Sequence, residues 1–304
     1  MAYVIVIEVP KGGSGKTTTA ANLATYLIAQ GLRVAGIDAD GQASWSHLNR
    51  LYPKKGRPTL HTALKELIET YEANLPIYSC PNGLAFVPAS GALHQMEAEL
   101  SSVERREYIL QQLLSPMLDD YDIIIIDGPP AINSWTNNLL VVADAVIIPC
   151  QVEPLGLAGA GAMLEHLQRI YKRKLLEKDL VVGGALLTMM DSRTVLHRSM
   201  ADIARDELGK HIKLFDSHIE RSIQFPEAQF YGKSIEVYSP GSKGALAYQA
   251  VAEQVMAGTQ QTLVSQLRVP LGFADSLLQA ATVAEEEAEH PEGLDLPLRL
   301  VHVA

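Results

Sequence analysis

The chain has 304 residues, of which 47% are hydrophobic and 20% charged, and its formal net charge is −10. This composition is typical of a globular protein, and the negative charge argues against a nucleic-acid binder with a uniformly basic surface. The two cysteines are too few for a disulfide framework, so we expect two buried structural thiols. No run of 18 apolar residues and no secretory signal is visible, which predicts a cytoplasmic protein.

Apolar segments rich in β-branched residues alternate with segments of helical periodicity along the first 258 residues. The predicted strands cover residues 3–9, 33–38, 84–88, 123–127, 145–150, 181–188 and 212–215. The predicted helices cover residues 17–30, 59–72, 101–118, 156–176, 194–208 and 242–256. This alternation predicts an α/β fold, a doubly wound and mostly parallel sheet with helices on both faces.

The charge balance changes after residue 258. The last 46 residues hold two basic and seven acidic side chains, whereas residues 169–243 carry a net charge of +3. We therefore predict one domain over residues 1–258 and an acidic C-terminal extension over residues 259–304. The extension is expected to contain a helix near residues 273–289 and to end in a loosely structured segment.

A glycine-rich motif lies between the first predicted strand and the first predicted helix. It reads Lys11, Gly12, Gly13, Ser14, Gly15, Lys16, Thr17 and Thr18. Glycines let backbone N–H groups surround an anion, the helix N-terminus adds a positive dipole, Lys16 adds a charge and Thr17 offers a hydroxyl to Mg²⁺. The motif therefore predicts a phosphate-binding P-loop, with Pro10 where the general pattern has glycine.

Acidic residues stand at the ends of two predicted strands. Asp38 and Asp40 follow the second strand, and Asp127 follows a run of four isoleucines. A carboxylate after a buried strand beside a P-loop is suited to hold a Mg²⁺-bound water, which is the Walker-B role expected for Asp127. Asp40 is suited to orient an attacking water, while capping or turn formation is the alternative for Asp38 and Asp40.

These motifs resemble the ParA/MinD family of deviant Walker-A ATPases, whose loop carries an additional lysine at the position of Lys11. The resemblance covers about residues 1–258, includes residues 188–194 and 225–247, and is strongest to ParA/Soj partition ATPases. It implies ATP and Mg²⁺ as cofactors and a homodimer in which Lys11 reaches the partner's phosphates. It also implies catalytic roles for Lys11, Lys16 and Asp40, nucleotide contacts along residues 11–18, and metal binding by Thr17 and Asp127.

The resemblance implies further contacts in the C-terminal half of the domain. Adenine contacts fall on Glu220 and Ser222, and non-specific DNA contacts fall on Arg193 and Arg221, for which surface ion pairs are the alternative. The sequence departs from the family at several positions. Gln224 replaces a DNA-binding arginine, Gly41 replaces a proline, Gly128 replaces a threonine or cysteine, and the asparagine of the adenine loop is missing.

The function implied by this resemblance is that of a partition ATPase. Its ATP dimer binds nucleoid DNA and is released when a ParB-like or cargo-adaptor protein stimulates hydrolysis, which segregates plasmid or chromosome DNA. One alternative is the same cycle acting on a protein cargo, such as a carboxysome or a chemotaxis cluster. Another is a MinD-like membrane-associated division regulator, although the acidic tail predicts no membrane binding. Relatives of the nitrogenase iron protein or of cobyrinate amidation enzymes are the least favoured classes.

Overall fold

The computed structural model describes residues 1–52, 54, 56–258 and 261–289. Within these residues the strands are β1 (Tyr3–Ile7), β2 (Val34–Asp38), β3 (Tyr78–Ser79), β4 (Ala85–Val87), β5 (Ile123–Asp127), β6 (Ala145–Gln151), β7 (Val181–Thr188) and β8 (Thr262–Leu263). The helices are α1 (Lys16–Ala29), α2 (Ser44–Leu48), α3 (Leu60–Thr70), α4 (Met96–Leu100), α5 (Ile109–Leu114), α6 (Ser134–Val142), α7 (Pro154–Lys172), α8 (Val195–Glu207), α9 (Gln224–Phe230), α10 (Ile235–Tyr238), α11 (Lys243–Ala257) and α12 (Phe273–Glu289).

The strands form one sheet in the order β3-β4-β2-β5-β1-β6-β7-β8, in which only the two outer pairs are antiparallel. The central strands are apolar on both faces because helices cover the sheet from both sides. In register, Asp127 of β5 lies between Ile7 of β1 and Asp38 of β2. The parallel order therefore brings the carboxyl ends of β1, β2 and β5 together, where α/β sheets bind their ligands.

The predicted doubly wound, mostly parallel sheet is confirmed, but two predicted elements are wrong. Residues 212–215 form no strand, since their backbone pairing with β7 amounts to an isolated bridge between Ala185 and Leu214. A β-bulge near Gly184 interrupts β7 there, and the Phe215 ring packs against this glycine. The helix predicted over residues 101–118 is reduced to α5 flanked by 3-10 turns, one of which contains Pro116.

The helix predicted over residues 273–289 is confirmed as α12, which packs against α7 and α8. Leu277 and Ala281 of α12 are buried in the same core as the helices beneath them. Gly161 of α7 permits this close approach, because a Cβ atom there would lie 2.8 Å from Leu277 Cδ1. The domain boundary at residue 258 stays a prediction, and the acidic end predicted for residues 290–304 lies outside the described residues.

Candidate nucleotide-binding site

The loop between β1 and α1 has the geometry of an anion cradle. Gly13 and Gly15 adopt left-handed conformations with φ of 74° and 90°, and α1 begins immediately afterwards at Lys16. The first turn of α1 contains no acidic residue, and no side chain caps it. Its N–H groups are therefore available to a ligand in the adjoining cavity of about 970 Å³, which residues 12–18 line.

The two lysines of the loop occupy different environments. Lys16 is buried, and its Nζ donates hydrogen bonds to the carbonyl oxygens of Val9 at 3.1 Å and Lys11 at 2.8 Å. The ammonium group of Lys11 instead donates to Gln151 Oε1 at 2.7 Å and lies 3.6 Å from Glu153 Oε2. Lys16 is thus held inside the loop, while the side chain of Lys11 extends toward the end of β6.

Thr17 and Asp127 meet directly beneath the loop. The Thr17 hydroxyl donates to Asp127 Oδ2 at 2.6 Å, whereas the buried Asp127 Oδ1 has no hydrogen-bond partner among the described residues. A hydroxyl and an unsatisfied carboxylate oxygen beside an anion cradle fit the oxygen preference of Mg²⁺. Within the described part of the chain, no three His, Cys, Asp or Glu side chains form a metal cage.

Two further aspartates follow β2 at the same edge of the sheet. Asp38 is buried and accepts hydrogen bonds from the Ser46 N–H at 2.8 Å and the Ser46 hydroxyl at 2.7 Å, yet burial raises its pKa to about 7. Burial and the charge of Asp38 also hold the pKa of Asp127 well above its usual range. Asp40 lines the large cavity, and its carboxylate accepts the Gln42 N–H at 2.9 Å.

Glu8 is a further acidic residue at this edge that the sequence analysis missed. It directly follows β1, is fully buried, and burial raises the pKa of its carboxyl group well above the usual range. The apolar run over residues 3–9 predicted only a strand. A useful signal would have been the acidic residue itself, since a charged side chain within a buried strand end requires a partner or a function.

The residues predicted to contact adenine line a smaller cavity of about 260 Å³ beside the P-loop. Glu220 and Ser222 share this cavity with Gly15, Thr18 and other residues. The Glu220 carboxylate pairs with Lys243 Nζ at 3.1 Å. The structure therefore brings both predicted residues next to the loop, and their contact with a base stays a prediction.

The two arginines predicted to bind DNA lie on neighbouring segments of the chain. The backbone N–H of Arg221 donates to the carbonyl oxygen of Met190, three residues before Arg193, at 2.8 Å. Arg193 is highly exposed and binds both carboxylate oxygens of Asp191 at 2.9 and 2.8 Å, which lowers the pKa of Asp191. Arg221 lies 3.9 Å from Glu153. Both arginines thus take part in surface ion pairs, and their contact with DNA stays a prediction.

No helix in the described ranges has the length and apolar character that crossing a bilayer requires.

The segment around Asp40 is flanked by contacts of two buried tryptophan side chains. The Trp135 indole N–H donates to the Ala39 carbonyl at 2.9 Å, and the Trp45 ring packs edge-on against Phe86 with ring centroids 5.2 Å apart. These contacts hold the chain on both sides of the segment that carries Asp40.

Comparison with known proteins agrees with this geometry. A family model described as an AAA domain matches residues 2–182. The chromosome partitioning protein ParA of Caulobacter vibrioides is 34% identical over 255 residues, which cover 83% of this chain and 93% of that protein.

Two solved structures extend the comparison. Cobyrinic acid a,c-diamide synthase from Mycobacterium smegmatis with bound ADP and magnesium is 30% identical, with a TM-score of 0.68 over 83% of this chain and 93% of that one. The apo McdA of Cyanothece is 25% identical, with a TM-score of 0.72 over 84% of this chain and 100% of that one. The fold and the sequence identity thus agree, and the chain belongs to the ParA/Soj family of P-loop ATPases.

Proposed function

We propose that the chain is a Mg²⁺-dependent partition ATPase that binds and hydrolyses ATP at the cradle formed by residues 11–18. The observation that carries this proposal is the pairing of Thr17 with Asp127 directly beneath an uncapped helix N-terminus. This arrangement offers N–H groups to phosphates and oxygen ligands to a cation at one place. The ADP and magnesium in the M. smegmatis neighbour support the same ligands here.

Each residue of the site then has a role that follows from its position. The loop N–H groups and Lys16 bind the phosphates, and Thr17 and Asp127 hold the Mg²⁺, which neutralises charge on the phosphates when it is bound. Asp40 lines the cavity, where its carboxylate is placed to orient a water for attack on the terminal phosphate. Glu220 and Ser222 line the neighbouring cavity and would contact the base.

We further propose that ATP joins two copies of the chain and that Lys11 then reaches the partner's phosphates. The dimer would bind DNA without sequence preference through Arg193, Arg221 and the surrounding basic surface, because phosphate contacts require only clustered positive charge. A ParB-like or cargo-adaptor protein would stimulate hydrolysis and release. The protein would therefore be associated with the nucleoid in the cytoplasm. Residues 1–258 would form the ATPase domain, and residues 259–304 would be an addition to it.

The test is a DNA-binding titration on the full chain. Fluorescence anisotropy of a labelled duplex of arbitrary sequence is followed with ATP and Mg²⁺, with ADP and Mg²⁺, and without nucleotide, each at several salt concentrations. We expect tight binding only with ATP, and an affinity that falls steeply with salt. Phosphate release measured in the same samples tests the ATPase itself.

The outcomes separate the parts of the proposal. Phosphate release without ATP-dependent DNA binding would contradict the DNA step of the cycle, whether the cargo is DNA or a protein assembly. ATP-dependent recruitment to anionic vesicles without DNA binding would favour a MinD-like role. Absence of phosphate release under all conditions would contradict the ATPase assignment.

A further inference from the structure

Glu8 presents two buried carboxyl oxygen atoms directly after the end of β1. Neither Oε1 nor Oε2 has a hydrogen-bond partner among the described residues, and the residue is 0% exposed. Buried carboxyl groups in folded proteins are almost always paired, hydrogen-bonded or bound to a cation, because desolvation penalises their charge. The lack of a partner therefore points to a group that the site receives from outside the chain.

The Glu8 side chain fills the space next to the backbone of Gly128, which follows Asp127. A Cβ atom at position 128 would overlap Glu8 Oε2 and would lie 2.8 Å from Glu8 Cδ. Glu8 and a side chain at position 128 therefore exclude each other. A carboxyl oxygen of Glu8, the residue after β1, thus occupies the place of the Cβ atom that a threonine or cysteine would have at position 128. Those are the residues that the ParA/MinD resemblance implies there.

The charges around Glu8 are those of the candidate nucleotide site. Lys16 favours the ionised carboxylate, whereas Asp127 and Asp40 oppose it. Asp38 is also buried here and lies opposite Asp127 in the sheet register. The carboxyl groups of Glu8, Asp38, Asp40 and Asp127 thus lie near one another. Among the described residues, the ammonium group of Lys16 is the one buried cation that accompanies them. Ionisation of more than one of these carboxyl groups therefore requires a further cation in addition to Lys16.

We propose that Glu8 is a positioning residue that adds a second carboxylate to the Mg²⁺ site. This carboxylate comes from the residue after β1 and lies beside Asp127 of β5. This inference rests on the proposed function, since it concerns the ion that accompanies ATP. Mg²⁺ retains several waters in protein sites, and carboxylates around its ligands orient those waters. A carboxylate in place of a neutral side chain strengthens binding of the ion that accompanies the nucleotide, because its negative charge attracts the cation.

The test measures nucleotide binding without hydrolysis. Binding of a fluorescent ATP analogue is titrated with Mg²⁺ in wild type, in Glu8→Gln, and in Glu104→Gln, whose exposed side chain serves as the control. We expect Glu8→Gln to raise the half-saturating Mg²⁺ concentration by about 10-fold, the lower bound for loss of a group around a metal's ligands. Glu104→Gln should match wild type.

A second variant separates charge from packing. In Glu8→Ala combined with Gly128→Thr, a neutral side chain refills the space, and the half-saturating Mg²⁺ concentration should rise as it does in Glu8→Gln. This variant provides the readout if Glu8→Gln does not fold, as judged by thermal melting. If folded variants bind the analogue with the wild-type Mg²⁺ dependence, the role of Glu8 is wrong. If wild type itself binds the analogue without responding to Mg²⁺, the proposed function is wrong.

Discussion

The ammonium group of Lys11 donates a hydrogen bond of 2.7 Å to Gln151 Oε1, at the last residue of β6. Glu153 lies 3.6 Å from the same nitrogen, and the Lys11 side chain is only 18% exposed. The lysine that we propose to reach a partner's phosphates is therefore bound within its own chain. Dimer formation must exchange these two contacts for phosphate oxygens, which carry more charge than the Gln151 amide and compete well for the lysine.

Lys11→Ala should abolish the ATP-dependent dimer and leave the fold intact. The lost contacts are one hydrogen bond and one partly exposed ion pair, so the free energy of unfolding should change by about 1 kcal/mol. Sedimentation velocity with and without ATP measures the dimer. Lys172→Ala, which removes an exposed lysine of α7, is the matched control. A dimer of unchanged strength in Lys11→Ala would count against the proposed role of this lysine.

Asp40→Ala should retain ATP binding and dimerisation while hydrolysis falls by about 10²–10⁴-fold, the usual contribution of a positioned acid or base. The carboxylate of Asp40 accepts one local hydrogen bond from Gln42, so little stability depends on it. Phosphate release and sedimentation in ATP measure the two effects separately. Asp120→Ala, before the amino end of β5, should hydrolyse ATP at the wild-type rate. Persistent turnover in Asp40→Ala would exclude water orientation by this residue.

His166 should make the protein sensitive to acid. Its Nε2 lies 2.9 Å from Asn137 Oδ1, and burial, with the charges of Arg169 and Arg173, lowers its pKa to about 4. The unfolded chain, with a histidine pKa of about 6.5, binds more protons between these values, so the free energy of unfolding falls as pH decreases from about 6.5 to about 4. The full loss is at most about 3.4 kcal/mol, at about 1.4 kcal/mol per pH unit.

The measurement for His166 is urea unfolding as a function of pH in wild type and in His166→Gln. The difference between the two curves isolates this histidine, because every other titrating group is shared. We expect the stability of wild type to fall more steeply below about pH 6.5 than that of the variant. Two parallel curves would show that the imidazole does not titrate differently in the folded and unfolded states.

Leu277→Ala should destabilise the protein by about 2–5 kcal/mol, because it leaves a cavity between α12 and α7. Leu277 is 1% exposed, whereas Val283 on the same helix is 49% exposed. Val283→Ala is therefore the matched control and should cost about 0.5 kcal/mol or less. Urea unfolding provides both values. Equal, small effects would mean that α12 contributes no core packing in solution.

Gln224→Arg should strengthen DNA binding by the proposed ATP dimer. Gln224 begins α9, and its side chain donates to Ser239 Oγ at 3.2 Å. One added phosphate contact makes the slope of log affinity against log salt more negative by about one unit, and Arg193→Ala should make it less negative by the same amount. Anisotropy titrations at several salt concentrations measure the slope. Identical slopes in both variants would exclude this surface from DNA contact.

The parts of the structure that could be predicted are those in which local pattern and tertiary packing agree. The P-loop and β5 belong to this group, because the glycines, Lys16 and the isoleucine run before Asp127 each favour one conformation. Residues 212–215 have the composition of a strand, but they pair with β7 next to its bulge. Because that bulge lies about 30 positions earlier in the chain, the local sequence of residues 212–215 does not reveal it. The two-residue strands β3 and β8 have no pattern that periodicity can detect.

The candidate site divides in the same way. Thr17 and Asp127 were predicted to act together because each belongs to a recognisable sequence motif. The fold places Thr17 Oγ1 2.6 Å from Asp127 Oδ2. Glu8 belongs to no such pattern, and its significance depends on Gly128, which is 120 positions away in the chain. The spatial exclusion between these two residues arises only when β1 and β5 pair.

The antiparallel outer strands β3 and β8 also bear on how the chain assembles. Each edge strand is two residues long, so each edge of the sheet has few backbone N–H and C=O groups with which a strand of another molecule could pair. Long open margins invite polymerisation by strand addition, and short margins are a common protection against it. Short edge strands therefore disfavour growth of this protein into β-linked filaments.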